Sequence, residues 1–68
     1  MENKFKNVLK ELRLEKGVSQ VKFASDICVS KGVISMWGNG LREPTLSSLV
    51  AIADYFGVSI DYLVGREI

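Results

Sequence analysis

The sequence predicts an all-α fold of five short helices. Three observations carry that prediction. Apolar residues recur at intervals of three and four, the spacing of one face of a helix. Ser or Thr opens and Gly closes successive segments of helical length, and those residue types are the preferred caps. Alternation of apolar with polar residues never persists for the length of a strand. At 68 residues the chain has room for one domain, 1–68, with a single core, and 47% apolar residues supply that core.

Phe5, Val8, Leu9 and Leu12 fall at i, i+3, i+4 and i+7, so a first helix is expected over about residues 4–16, stopped by Gly17. Ser19 is placed to cap a second helix, with Phe23, Ala24 and Ile27 inward. Ser30 repeats the signal for a third helix over about 30–38, with Val33, Ile34 and Trp37 inward, ended by Gly38-Asn39-Gly40 and Pro44. Thr45 opens a fourth helix whose expected inner face is Leu46, Leu49, Val50, Ile52, Ala53 and Phe56, closed by Gly57. Ser59 opens a short fifth helix carrying Ile60, Leu63 and Val64 before Gly65.

Composition narrows the function classes. No histidine is present and Cys28 is the one cysteine. The usual general base and the commonest metal ligand are therefore missing, and no intrachain disulfide or cysteine metal cage can form. No catalytic carboxylate pair is evident and little room exists for a pocket, so no enzyme, cofactor or metal is expected. No apolar run reaches the roughly 18–20 residues of a membrane span. Met1-Glu2-Asn3-Lys4 does not lead into a signal peptide, so a cytoplasmic protein is expected. The formal net charge is only +1, but it is unevenly spread. Residues 1–17 carry five Lys/Arg against three Glu, and residues 45–68 one Arg against three acids. A basic front and an acidic back can coexist at that balance.

Only Cys28-Val29 separates the second helix from the Ser30 cap. Two short helices joined so tightly must cross steeply rather than run antiparallel. That is helix-turn-helix geometry, here over about 19–38, in which the second helix enters a major groove about 12 Å wide.

The residues around this turn resemble the phage Cro and repressor family, also called the Xre family. The resemblance rests on Ser19-Gln20, Ala24, Ile27, Val29-Ser30, Ile34, Trp37, Gly40 and Pro44. It starts upstream at Leu12-Arg13 and Lys16-Gly17. Downstream it continues through Leu49, Ile52, Ala53, Phe56-Gly57-Val58-Ser59 and Asp61-Tyr62-Leu63. It implies a lambda-repressor-like domain that binds double-stranded DNA specifically and regulates transcription, of the prophage, antitoxin or controller type. A repressor is expected, because blocking a promoter needs no further machinery. The expected partner is an inverted-repeat operator bound by a homodimer, with half-sites about 10 bp apart. Ile60, Tyr62, Val64 and Ile68 are the expected dimer contacts. No membrane and no small-molecule ligand is expected.

On the third helix the outward positions are Lys31, Gly32, Ser35 and Met36, with Asn39 just beyond. By resemblance the first four match the family's base-reading positions. Lys31 is able to donate to guanine, Ser35 to either kind of edge, and Met36 to touch a thymine methyl. Gly32 permits close approach of the backbone. Phosphate contacts are expected from Gln20 at the start of the second helix, from Ser30, Asn39 and Arg42, and peripherally from Lys22 and Arg13. Lys4, Lys6, Lys10 and Lys16 fit solvation of the first helix as well as a DNA role.

Three positions depart from the family pattern. Cys28 stands where a turn Gly is usual, and a half-buried structural cysteine is expected there. Gly38 stands in place of a bracing Glu. Gly32 lies inside the reading helix, at a cost of roughly 0.5–1 kcal/mol against Ala. The low net charge, Met36 and the two extra glycines, Gly32 and Gly38, leave an alternative open: a protein-interaction module on a decayed helix-turn-helix.

Overall fold

The computed structural model describes residues 4–66. Five helices follow in order: α1 (Phe5–Lys16), α2 (Gln20–Asp26), α3 (Lys31–Gly38), α4 (Leu46–Phe56) and α5 (Ile60–Leu63). No strand occurs among the described residues. All four expected caps are made. The oxygens of Ser19, Ser30, Thr45 and Ser59 accept from the N–H groups of Lys22, Val33, Ser48 and Tyr62 at 3.0–3.2 Å. Each satisfies one of the donors that a helix start leaves without a partner. α1 lacks a side-chain cap; the Lys4 N–H instead donates to the Val64 carbonyl at 3.2 Å, tying the start of α1 to the end of α5. Gly17 closes α1 in the left-handed conformation, with φ 72°, and donates to the Arg13 carbonyl.

The core draws on every helix. Phe5, Leu9 and Leu12 come from α1, Phe23 and Ala24 from α2, Ile34 and Trp37 from α3, Ile52 and Ala53 from α4, and Leu63 from α5. Trp37 is a core residue, as its spacing from Ile34 predicts, and meets Phe5 edge-on at 6.0 Å. Phe23 is completely buried, with its ring 5.4 Å from those of both Tyr55 and Phe56. Ala24, also buried, lies on α2, which packs chiefly on α3. Its small side chain allows that approach, and a larger one would force the helices apart.

Two inward expectations fail on α4. Leu46 and Val50 are exposed, at 73% and 45% of their surface. Leu49, Ile52, Ala53 and Phe56 already make up the inner stripe, so the apolar face is narrower than the run of apolar residues suggests. Leu46 and Val50, four residues apart, share the neighbouring edge. On α5, Ile60 packs against the core and Val64 is half-buried, leaving Tyr62 as the exposed residue of the expected dimer set; Ile68 lies outside the described residues.

The turn between α2 and α3 is made by Ile27, Cys28 and Val29. Ile27 ends α2, Cys28 has φ 60°, and the Val29 N–H returns to the Ala24 carbonyl at 3.0 Å. Among the described residues Cys28 is the one non-glycine with positive φ. The turn thus keeps the left-handed conformation that the missing glycine would have favoured. Cys28 is exposed rather than half-buried, because that conformation turns its side chain out of the crossing.

A Cβ in the left-handed region costs about 1–2 kcal/mol, part of which the looser unfolded chain of a glycine offsets. Cys28→Gly should therefore raise stability by about 0.5–1 kcal/mol in urea unfolding, with Cys28→Ala close to neutral. A glycine variant less stable than the alanine variant would contradict the strain at this position.

Candidate nucleic-acid interface

α2 and α3 together present one surface. On α3 the buried edge is Ile34 and Trp37. The opposite edge holds Lys31, Gly32, Ser35 and Met36, at helical spacings of one, four and five. Lys31 and Gly32 are exposed, whereas Ser35 and Met36 are half-buried. A Cβ added at Gly32 would make ordinary contact with Ser30 Oγ at 3.8 Å. Packing within the protein therefore does not require a glycine here.

Beside that edge lies a cleft of about 340 Å³ between α1 and α3. One wall is Lys6, Asn7, Leu9, Lys10 and Arg13 of α1; the other is Ile34, Ser35, Gly38 and Asn39, with Gln20 at the end. Four residues singled out from the sequence meet here: Arg13, Gln20, Ser35 and Asn39. Gly38 contributes an opening, since a Cβ there would meet no atom within 4 Å. Arg13 is half-buried and its guanidinium donates to the Val18 carbonyl at 3.2 Å, which holds it along the wall.

The remaining expected contacts lie outside the cleft. Ser30 caps α3, with its hydroxyl oxygen accepting from Val33. Arg42 is exposed in the segment after α3. Lys22 is exposed but paired, with its ammonium 3.2 Å from Asp26 Oδ1. Of Lys4, Lys6, Lys10 and Lys16, which fit solvation of the first helix as well as a DNA role, Lys6 and Lys10 line the cleft. Their signal was present: Lys6, Lys10 and Arg13 stand at i, i+4 and i+7, so three cations share one side of α1. Lys16 goes elsewhere and sits 4.9 Å from the centre of the Tyr55 ring.

Behind α2, the Tyr55 hydroxyl donates to Asp26 Oδ2 at 2.6 Å. That hydrogen bond, and next the one from Lys22, hold the Asp26 carboxyl below its ordinary pKa. The same bond to Asp26 raises the Tyr55 phenol above its own.

These features match a known family. A family model described as helix-turn-helix, HTH_3, aligns with residues 9–63. The chain belongs to this Xre/Cro-repressor-like helix-turn-helix family. It is 36% identical over 63 residues to the HTH-type transcriptional activator BcrR of Enterococcus faecalis, an alignment covering 93% of this chain and 31% of BcrR. The chain thus spans about a third of that relative's length. Among solved structures, a transcriptional regulator from Listeria innocua superposes with a TM-score of 0.91 at 28% identity, over 100% of this chain and 64% of that one. The P22 c2 repressor, solved in complex with a synthetic operator, superposes with a TM-score of 0.85 at 24% identity, over 93% and 96% of the two chains. That last likeness establishes the shared fold.

The Asp26–Tyr55 pair implies a definite pH dependence. A depressed carboxyl pKa contributes stability that is complete above the unfolded value and is lost as pH falls through the folded one. A raised phenol pKa contributes stability that is complete below its unfolded value and lost on the alkaline side. The difference in urea midpoint between wild type and Asp26→Ala should thus be flat from about pH 5 to 9 and shrink below about pH 4. A difference that changes between pH 5 and 8 would contradict this assignment.

Proposed function

We infer that the chain is a DNA-binding transcriptional regulator that reads duplex sequence with α3. The observation that carries this reading is the two-sided character of α3. Ile34 and Trp37 fix one edge in the core, while the opposite edge holds exposed Lys31 and Gly32 and half-buried Ser35 and Met36, beside a cleft with Lys6, Lys10 and Arg13 on its α1 wall. A helix held in this way fits a major groove, and the two edges divide the labour. Lys31 and Ser35 offer hydrogen-bonding groups to base edges, and Met36 offers apolar contact. Gln20, at the N-terminus of α2, meets a phosphate together with free backbone N–H groups. Arg13, Lys6 and Lys10 line the approach, with Ser30, Asn39 and Arg42 as further backbone contacts. Lys22, already paired, contributes least.

A single α3 touches only a few base pairs. We therefore expect a homodimer on an inverted repeat, with half-sites about 10 bp apart. Repression by occupancy is the simplest action of such a complex, and the cytoplasm is its expected place. No helix of the described residues is long and apolar enough to cross a membrane. The alternative, a protein-interaction module, draws on the exposure of Leu41 and Leu46, at 76% and 73%.

Selection from a random duplex pool at moderate salt separates the two. Enrichment of an inverted repeat is the expected result, and no retention even at low salt would sink the DNA reading. Reversing charge at Arg42 and Lys31 should weaken binding to the enriched duplex severalfold each, whereas an interaction module predicts no change. Gly32→Ala gives a further expected pair of outcomes. Stability should rise by roughly 0.5–1 kcal/mol, while operator affinity falls because the added methyl separates α3 from the bases. An alanine variant with undiminished affinity would remove the close-approach role of Gly32.

A further inference from the structure

Behind α2 a polar cluster borders the surface described above. Asp26 accepts from the Tyr55 hydroxyl at 2.6 Å through Oδ2 and meets the Lys22 ammonium at 3.2 Å through Oδ1. The Tyr55 ring carries Lys16 Nζ 4.9 Å from its centre. Residues of α1, α2 and α4 thus converge around one carboxylate. The ring contacts of Phe23 with Tyr55 and Phe56 hold α2 to α4 on the buried side. A hydrogen bond to a charged acceptor has a preferred length and angle, and so adds a directional restraint at the exposed edge of the same contact.

Lys22 lies two residues after Gln20 in the first turn of α2, beside the residue proposed for phosphate contact. A free ammonium there would strengthen binding to every duplex alike, because phosphate contacts carry no sequence information. Asp26 holds it in an ion pair instead.

We propose that Asp26 is a positioning residue of the reading unit: it ties α2 to α4 through Tyr55 and keeps Lys22 off the phosphate backbone, so that discrimination between operator and random duplex depends on it. This rests on the DNA-binding reading above. Two separable effects follow. Loss of the tie lowers specific affinity, because α2 sets the angle at which α3 is presented. Loss of the pairing raises affinity for any duplex.

The test uses the full chain as Tyr55→Phe, Asp26→Asn and Asp26→Ala. Each is checked for helicity at the assay temperature and titrated with the selected duplex and a random duplex over a range of salt. Tyr55→Phe keeps the ring and the Lys22 pair; it should lose about three- to tenfold in operator affinity with an unchanged salt slope. Asp26→Asn keeps an acceptor for Tyr55 and should hold operator affinity at moderate salt within about twofold of wild type or above it. Its freed Lys22 should raise random-duplex affinity and steepen the salt slope by about one. Asp26→Ala should show both effects, and adding Tyr55→Phe to it should change nothing further. Folded variants that keep the wild-type ratio of operator to random affinity would overturn the positioning role, as would losses in Asp26→Ala and Tyr55→Phe that add in full. Failure of the wild type to retain any duplex overturns the DNA reading and this role together; unchanged ratios on a wild type that does bind overturn this role alone.

Discussion

The burial of Phe23 is the constraint on which the rest of the arrangement hangs. α2 spans seven residues and α3 eight, both shorter than a helix that holds its shape alone in water. Their geometry must come from packing. Phe23 projects from α2 into full burial against Tyr55 and Phe56 of α4, while its neighbour Ala24 admits α3. Ile34 and Trp37 then hold α3 from the other side, with Trp37 braced on Phe5 of α1. With those contacts in place, the outward edge of α3 is a consequence rather than a separate feature.

Near-neutral net charge is compatible with a nucleic-acid interface because charge is sorted by place. Lys6, Lys10 and Arg13 gather along one wall of the cleft, beside the amide side chains of Gln20 and Asn39. Lys16 and Lys22 are drawn instead to Tyr55 and Asp26 behind α2. Cations beside the outward edge of α3 would strengthen a contact with phosphate, whereas cations paired elsewhere would not. The local field, not the total, is what a duplex would meet.

Much of the fold was legible because local chemistry and tertiary packing agree along this chain. Ser19, Ser30, Thr45 and Ser59 act as caps where their residue types predict, and Phe23, Ile34, Trp37 and Leu63 are buried where their periodicity predicts. Leu46 and Val50 were misread because hydrophobicity says nothing of how wide a helix's contact with its neighbours is. Cys28 was misread for a related reason. Residue type suggests burial, but the left-handed turn aims its side chain outward. The edge of α3 that holds Lys31, Gly32, Ser35 and Met36 was legible from the spacing opposite Ile34 and Trp37, with Lys31 and Gly32 exposed and Ser35 and Met36 half-buried. The grouping of Lys6 and Lys10 with Ser35 and Asn39 was not, because it depends on how α1 lies across α3. Nor was the bond from Tyr55 to Asp26, which spans 29 residues of sequence.

Amide chemical shifts of the isotope-labelled chain, followed as a selected operator duplex is added, show whether the outer edge of α3 and the cleft beside it form the face that meets DNA. The large changes should cluster at Gln20, Lys31, Gly32, Ser35 and Asn39, with smaller ones along the Lys6–Arg13 side of α1. Changes centred on Leu46, Val50 and α5, with α3 unmoved, would contradict it.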